Sequence, residues 1–262
     1  VGSEGTLGLI TEATLKLVPI AAHMSAVVAA FPSVEQAIET VVAVRGSGLD
    51  PAALEFVDAA HAVMLSQSDG VELTPHPTLF MEFHAAHEAT LAYGIDMVRD
   101  ICQELGAVSF RATTDNAERK RLWHARHHSY EIMVRTHADK QFFIMDVAVP
   151  ISAYPELIAY VEQLKAERGI TAYMIGHAGD GNVHVEFPYT PGESHDRAMQ
   201  ANHDIVLKAL ALGGTATGEH GVGLGKAKYM PIEHGDALAV MRALKATLDP
   251  NGILNPGKIF PA

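Results

Sequence analysis

Two histidines that flank a tight turn are the first residues of this sequence whose types and spacing could do chemistry. His177 and His184 lie on either side of Asp180-Gly181, which separates two apolar β-prone runs, 171–175 and 183–187. A two-residue Asp-Gly turn between such runs predicts a hairpin in which residue 177 faces residue 184. Side chains that are directly opposite share one face of a sheet, with Cβ atoms ~4.5–5.5 Å apart. The register therefore predicts a pair of imidazoles that could bind a metal ion.

A glycine-rich stretch downstream, 217–223, supplies Glu219 and His220. Neutral imidazole is a common metal ligand, and a carboxylate often completes such a site. Glu219 is therefore the expected third ligand, and His220 is a candidate general base with a pKa near the working pH. The alternative is that the two hairpin histidines are ordinary packing residues. The coincidence of a turn, a paired register and a second Gly-rich loop favours the metal site.

Arg126 is the candidate for binding a carboxylate, because guanidinium can pair with it through two hydrogen bonds. It lies in a predicted helix with other basic residues, so a solvated helix face is the alternative. Metal, base and arginine together suit proton abstraction from a 2-hydroxy acid whose oxygen occupies an open metal position. The hydrogen on C2 must then leave as hydride, which no side chain can accept. The same metal and base could instead activate water for hydrolysis.

The composition limits the class of protein and its partners. The 262 residues are 48% hydrophobic and 19% charged, which suits a globular protein of one or two domains. A formal net charge of −12 argues against a nucleic-acid partner. The only cysteine is Cys102, so an internal disulfide is excluded and a reducing compartment fits. Since we find no membrane-spanning run and no signal peptide, we expect a cytoplasmic protein, with peripheral association at the inner face of a membrane left open.

The order of predicted elements indicates the fold class. Besides the hairpin, the periodicity predicts strands over residues 24–31, 52–57, 78–84, 107–113 and 142–149, each followed by a helix, and further helices over 194–212 and 236–247. Strand-helix repeats that include an antiparallel hairpin predict an α+β fold with a ferredoxin-like antiparallel sheet. A doubly wound parallel sheet is the competitor, but the sequence lacks its Gly-x-Gly-x-x-Gly turn.

The first residues form a glycine-rich loop, 1–8, that runs directly into an alternating apolar stretch, 9–17, which predicts a strand. The glycines could bring backbone N–H groups close to a phosphate or a polar ring. The chain begins without methionine and its first residues are typical of the middle of a protein. We therefore expect a fragment of a longer protein.

Four motifs follow one another along the chain: GSEGTLGLIT (2–11), HAGDGNVH (177–184), GEHGVG (218–223) and DPNGILNPGK (249–258). In this order they resemble the C-terminal half of the FAD-linked 2-hydroxy-acid dehydrogenases of the vanillyl-alcohol-oxidase superfamily. That family includes cytochrome-type D-lactate dehydrogenase and the large flavin subunit of glycolate oxidase. The resemblance spans the whole chain.

The resemblance implies two cofactors, FAD and a divalent metal that is zinc or manganese. It implies that His177, His184 and Glu219 hold the metal. It also implies that His220 takes the substrate's hydroxyl proton while hydride passes to the flavin, and that Arg126 holds the substrate carboxylate. The residues expected near FAD are Gly2, Ser3, Glu4, Gly5, Thr6, Gly8, Ile10 and Asn255.

The resemblance further implies three regions: residues 1–21 end an FAD-binding domain, 22–225 form the substrate- and metal-binding cap, and 226–262 return to the FAD domain. Because most of the FAD domain would precede Val1, we expect the chain alone to bind FAD weakly or not at all and to be inactive. A non-catalytic metal-binding or assembly module and a metal hydrolase are the alternative functions.

The expected substrate is a small D-2-hydroxy acid, D-lactate or glycolate. Relatives that act on 2-hydroxyglutarate carry Thr and Lys where this sequence has Tyr130 and Ile144. A second carboxylate would lose these polar partners, and Glu186 would repel it if its side chain points into the site. The expected partners are this substrate, a quinone or cytochrome electron acceptor, and a second copy of the chain or companion subunits.

Overall fold

The structure, a computed structural model, describes residues 1–68, 71–192 and 194–260. Its centre is one antiparallel sheet. The strands are β1 (His23–Ala30), β2 (Ala53–Val57), β3 (Thr78–Ala85), β4 (Ser109–Thr113), β5 (Gln141–Ala148), β6 (Tyr173–Gly176) and β7 (Asn182–Tyr189). Their order across the sheet is β4-β1-β3-β2-β6-β7-β5. The predicted α+β fold on an antiparallel sheet is confirmed, and the parallel alternative is wrong.

Helices cover both faces of this sheet. They are α1 (Val34–Gly46), α2 (Ala59–Ser68), α3 (Glu88–Glu104), α4 (Asn116–His127), α5 (Ser129–Thr136), α6 (Tyr154–Arg168), α7 (His195–Ala211), α8 (Met230–His234) and α9 (Ala237–Leu248). One face packs against α1, α3, α6 and α7 and forms the larger apolar core. The other packs against α2, α4 and α5 around a smaller apolar core. None of the described helices is long and apolar enough to cross a membrane.

The alternation of β7 distributes its side chains between these two faces. Val183, Val185 and Phe187 are fully buried in the larger core. His184 and Glu186 occupy the intervening positions, so they lie on the opposite face, toward α2, α4 and α5. The polar side chains that could do chemistry are therefore collected on one face of the sheet.

The connection between β6 and β7 differs from the predicted two-residue turn. Residues 178–180 form a 3-10 turn, Gly181 is left-handed at φ +71°, and Ile175, not His177, pairs with His184. The carbonyl of His177 accepts the N–H of Asp180 at 2.9 Å, which coils the chain before it reverses. The predicted register is therefore wrong by two residues, and His177 lies just beyond the end of β6.

The strand predicted over residues 9–17 does not form. These residues have no regular secondary structure, and Leu9, Leu15 and Leu17 are 76–86% exposed. A strand needs a neighbour to receive its backbone hydrogen bonds. Within the described chain this stretch has none, so its alternating pattern alone does not produce a strand. The three-region division of the chain stays a prediction.

The N-terminal loop and the C-terminal tail are held together. The ammonium of Lys245 in α9 donates hydrogen bonds of 2.7 Å to the carbonyls of Thr6 and Leu254, and it also pairs with Asp249. Asp249 in turn accepts the N–H groups of Ile253 and Leu254. The hydrogen bond from Lys245 is the main cause that lowers the pKa of Asp249. One partly buried ion pair therefore organises the turn of the tail and fixes the first loop against it.

Candidate metal and substrate site

The structure brings the three predicted metal ligands together despite the register error. Among the described residues, His177, His184 and Glu219 form the one group of at least three His, Cys, Asp or Glu side chains that could hold a metal ion. One ligand atom from each lies within 4.8 Å of the others. His177 extends from the end of β6, His184 from the middle of β7 and Glu219 from the loop 217–220.

The geometry of these three side chains fits a divalent ion. Glu219 Oε1 lies 3.1 Å from His184 Nε2 and 3.6 Å from His177 Nε2. Two ligands of a tetrahedral ion at ~2.1 Å are about 3.4 Å apart, which agrees with both distances. The two imidazole planes are almost perpendicular, at 89°. Two nitrogens and one carboxylate oxygen are a donor set that suits zinc or manganese.

Glu55 on β2 lies behind this group and was not identified from the sequence. Its Oε1 accepts a hydrogen bond from His177 Nδ1 at 2.7 Å, and its Oε2 accepts one from Arg126 at 2.5 Å. Burial raises the pKa of Glu55, but His177 and Arg126 together bring it below its usual value. With the proton on Nδ1, the Nε2 lone pair of His177 is directed to the metal site.

Arg126 is buried, so the solvated helix face considered as an alternative is wrong for this residue. It is 8% exposed, whereas its helix neighbours Lys120 and Arg121 point to solvent. The carboxylate of Glu55 compensates its charge, and its Nε has no hydrogen-bond partner within the described chain. Arg126 is therefore placed beside the candidate metal ligands, with one guanidinium N–H that has no partner among the described residues.

His220 lies against two of the candidate metal ligands, His184 and Glu219. Its ring stacks on that of His184 with centroids 4.8 Å apart, and its Nε2 is 3.7 Å from Glu219 Oε1. Its side chain is about half exposed, in contrast to His184, which is buried. Burial is the largest of the causes that lower the pKa of His184 to about 4. The neutral imidazole needed for metal binding is therefore favoured at His184.

Asp146 on β5 is a second residue that was not identified from the sequence. Burial raises its pKa, but hydrogen bonds from the His220 and Glu219 amides and the charge of Lys226 hold the pKa well below its usual range. Its Oδ1 is 3.7 Å from His184 Nδ1. The sequence feature that could have identified Asp146 is its position as the single charged residue in the apolar run 142–149.

The residues predicted to lie near FAD fall into two groups. Residues 2–6 form a compact turn in which Thr6 N–H and its hydroxyl both bind the Ser3 carbonyl, at 2.9 and 2.7 Å. Asn255 donates to the carbonyl of Glu4 at 2.6 Å, so it belongs to the same cluster. Gly8 and Ile10 lie in the exposed stretch that follows and are not part of it.

A recess of about 240 Å³ opens between this turn and α9. It is lined mainly by apolar side chains, including Leu7, Met241 and Phe260. Gly2 and Gly5 adopt positive φ angles of +81° and +71°, which let the backbone turn tightly at its edge. A glycine-rich turn beside an apolar recess is a place that could hold the edge of a planar cofactor.

The comparison with known families decides the identity of this fold. Residues 20–259 match the family of FAD linked oxidases, C-terminal domain. The chain belongs to this family. The resemblance to this family is thereby confirmed, and the α+β fold predicted from the order of the elements agrees with it.

Several relatives of this FAD-linked oxidase domain are named as D-lactate dehydrogenases or as a subunit of glycolate oxidase. The chain is 36% identical over 263 residues to the probable mitochondrial D-lactate dehydrogenase of Danio rerio, with 99% of this chain and 53% of that protein covered. It is 37% identical over 264 residues to the mitochondrial D-lactate dehydrogenase (cytochrome) of Arabidopsis thaliana, covering 100% and 46%. It is 33% identical over 265 residues to glycolate oxidase subunit GlcD of Bacillus subtilis, covering 99% and 56%. The chain spans about half the length of these curated relatives.

Solved structures show the same fold at low sequence identity. The 4-ethylphenol oxidase of Gulosibacter chungangensis superimposes with a TM-score of 0.70 at 17% identity, over 94% of this chain and 56% of that one. p-Cresol methylhydroxylase superimposes with a TM-score of 0.65 at 15% identity, over 92% and 53%.

The side chains expected to disfavour a second substrate carboxylate, Glu186, Ile144 and Tyr130, lie on or beside the sheet face that carries His184. Glu186 is buried, and burial raises its pKa to about 7. Ile144 on β5 pairs with Glu186, and Tyr130 at the start of α5 rests edge-on against Phe142. A buried acid and an apolar side chain therefore occupy the sheet face next to His184.

Proposed function

We propose that this chain forms the substrate- and metal-binding part of an FAD-linked enzyme that oxidises a small D-2-hydroxy acid, D-lactate or glycolate, to the 2-oxo acid. The observation that carries the proposal is the convergence of His177, His184 and Glu219 beside His220, with Arg126 tied to the same group through Glu55. Family membership favours this reaction over metal-dependent hydrolysis.

His177, His184 and Glu219 would hold the metal, which would act as a Lewis acid on the substrate hydroxyl. A divalent ion held there would lower the pKa of the hydroxyl, which would make proton removal easier near neutral pH. Glu55 orients the imidazole of His177, and outer-shell carboxylates of this kind strengthen metal binding.

Arg126 would bind the substrate carboxylate, and His220 would accept the hydroxyl proton. Arg126 is already desolvated, and an ionic hydrogen bond in a buried site is stronger than one in water. The half-exposed ring of His220 lets the accepted proton pass to solvent. Residues 2–6 and Asn255 would hold part of the FAD, which would supply the acceptor for the hydride from C2.

The side chains beyond Arg126 favour a small monocarboxylate. Glu186 offers a second substrate carboxylate no positive partner, and Ile144 offers no hydrogen bond. Burying an unpaired carboxylate costs several kcal/mol, so a dicarboxylate is disfavoured.

We extend the proposal to the partners and the location of the enzyme. The electron acceptor would be a quinone or a cytochrome. The enzyme would be cytoplasmic, at the inner face of a membrane, and would assemble with a second copy or with companion subunits.

The test is the metal content of the purified chain, for wild type and His177→Ala. His87→Ala is the matched control, because His87 is exposed at the start of α3. We expect about one zinc or manganese per chain in wild type and the control, and a loss in His177→Ala. Equal metal content in all three proteins, or none in any of them, contradicts the metal part of the proposal.

The substrate class is tested by binding to the metal-loaded chain. Calorimetry measures the affinity for D-lactate and glycolate, which have one carboxylate, and for D-2-hydroxyglutarate, which has two. The variant Arg126→Lys keeps the positive charge but removes the planar guanidinium that can form two parallel hydrogen bonds. We expect D-lactate or glycolate to bind more tightly than D-2-hydroxyglutarate and the variant to lose about tenfold or more in affinity. Preferential binding of the dicarboxylate contradicts the proposed substrate class.

A further inference from the structure

Asp146 lies directly behind the loop that carries Glu219 and His220. Its Oδ2 accepts the backbone N–H groups of both residues, at 3.0 and 2.9 Å, and the hydroxyl of Thr217 at 3.1 Å. Its Oδ1 accepts a hydrogen bond of 2.8 Å from the side chain of Asn182. The residue is 1% exposed, so water does not compete for these bonds.

The charge of Asp146 is balanced by Lys226. The ammonium donates to the Asp146 carbonyl at 2.6 Å and is 3.5 Å from Oδ2. Gly218 passes so close that a Cβ on it would lie 2.6 Å from Asp146 Oδ1 and 2.1 Å from Asn182 Nδ2. The loop is therefore pressed onto the carboxylate, and glycine is required where they touch.

We propose that Asp146 is a positioning residue that fixes Glu219 and His220 together. The inference rests on the proposed function, in which Glu219 binds the metal and His220 accepts the hydroxyl proton of the substrate. One oxygen binds two successive peptide N–H groups, so neither residue can shift without the other. The loop contains Gly218 and Gly221 and needs such an anchor, since glycine leaves the backbone free.

Asp146→Asn is the most direct test, because the amide has nearly the same shape. Both carboxylate oxygens accept hydrogen bonds, so in either orientation the amide NH₂ of the variant faces a donor. We expect the Zn²⁺ or Mn²⁺ dissociation constant to rise by about tenfold to a hundredfold, as for other outer-shell changes. We also expect the amide protons of Glu219 and His220 to exchange at least about tenfold faster, because charge-assisted hydrogen bonds are lost.

Thr217→Val is the matched control, since it removes only the hydroxyl contact with Oδ2 and retains both N–H contacts. We expect it to change metal affinity and amide exchange by less than about threefold. The measurements are titration of the full chain with Zn²⁺ or Mn²⁺ alone and residue-resolved hydrogen exchange without metal. Unchanged affinity and exchange in Asp146→Asn overturn the proposal.

Hydrogen exchange separates this proposal from the proposed function. If the wild-type chain binds no metal, the proposed metal role fails, and faster exchange at Glu219 and His220 in Asp146→Asn still supports the positioning role. If Asp146→Asn does not fold, amide hydrogen exchange at Glu219 and His220 in the wild-type chain tests the positioning role. Slow exchange of both amides supports the anchor, and exchange as fast as that of the exposed residues 9–17 overturns it.

Discussion

Glu55 accepts a hydrogen bond from Nδ1 of His177 across 2.7 Å. The other oxygen of the same carboxylate binds Arg126, which lies on a different element, α4. One buried side chain therefore determines the orientation of a proposed metal ligand and of the proposed substrate arginine. A change at Glu55 should affect both at once.

Glu55→Gln is predicted to weaken metal and substrate binding together. The amide can accept from only one oxygen, so its NH₂ faces either the Nδ1–H of His177 or the guanidinium of Arg126. We expect about tenfold weaker Zn²⁺ binding and weaker D-lactate binding, both measured by calorimetry. The matched control is Glu82→Gln on the neighbouring strand, whose carboxylate pairs with Arg119 and His84. Equal losses in the two variants contradict the prediction.

Gly181→Ala is predicted to destabilise the chain more than Gly169→Ala. Both glycines are left-handed, with φ +71° and +58°, so both variants incur about 1–2 kcal/mol of backbone strain. A Cβ on Gly181 would lie 2.0 Å from the carbonyl oxygen of Val149, whereas nothing lies within 4 Å of one on Gly169. We therefore expect an additional cost of about 1–3 kcal/mol for Gly181→Ala, measured by urea unfolding. Equal losses of unfolding free energy in the two variants would show that the contact with Val149 relaxes freely.

The position of Gly181 also explains why the sequence predicts the hairpin but not its register. Alternation correctly predicts β7, because the residues between His184 and Phe187 alternate between two buried faces. The Asp-Gly pair predicts a two-residue turn, but Gly181 instead lies against the carbonyl of Val149, just after the end of β5, where a Cβ would be 2.0 Å from that oxygen. A tertiary contact of this kind leaves no local pattern, so the register could not be predicted.

The proposed metal ligands were predictable because His177, His184 and Glu219 lie in motifs of distinctive spacing. Glu55 and Asp146 were not, since each is a single acidic residue in an apolar strand. Arg126 lies 71 residues from Glu55, and Glu219 lies 73 residues from Asp146. Their role follows only from how the sheet brings β2 and β5 to the site. Residues 9–17 show the opposite error, in which a clear strand pattern finds no pairing partner among the residues that the structure describes.

His61 is predicted to make folding stability depend on pH below neutrality. Its ring is fully buried near Glu186, Arg126 and Tyr173, and neither ring nitrogen has a hydrogen-bond partner among the described residues. Burial, with the charge of Arg126 as the second cause, lowers its pKa to about 3. The unfolded chain, with an ordinary histidine, binds a proton near pH 6.5 that the folded chain does not bind. Stability therefore falls as the pH drops from 6.5 toward 3.

The measurement is urea unfolding of wild type and His61→Leu at pH 7 and pH 5. Each pH unit in this window contributes about 1.4 kcal/mol, so wild type should lose about 2 kcal/mol more than the variant between the two values. His87→Leu is the control, because the His87 side chain is exposed at the start of α3. If His61→Leu keeps the wild-type pH dependence, the ring is protonated inside the fold.

Glu4 is predicted to couple the N-terminal turn to the loop that carries Glu219 and His220. Its two carboxylate oxygens accept the N–H groups of Val222 and Gly223, at 2.5 and 2.9 Å. In Glu4→Gln the NH₂ group faces one of these donors, which should cost about 1–3 kcal/mol locally. We expect faster amide exchange at residues 222 and 223 and a lower Tm, while Glu12→Gln in the exposed stretch leaves both unchanged. Unaltered exchange in Glu4→Gln would mean that the loop is held by Asp146 alone, and that the turn near the predicted flavin position is not coupled to it.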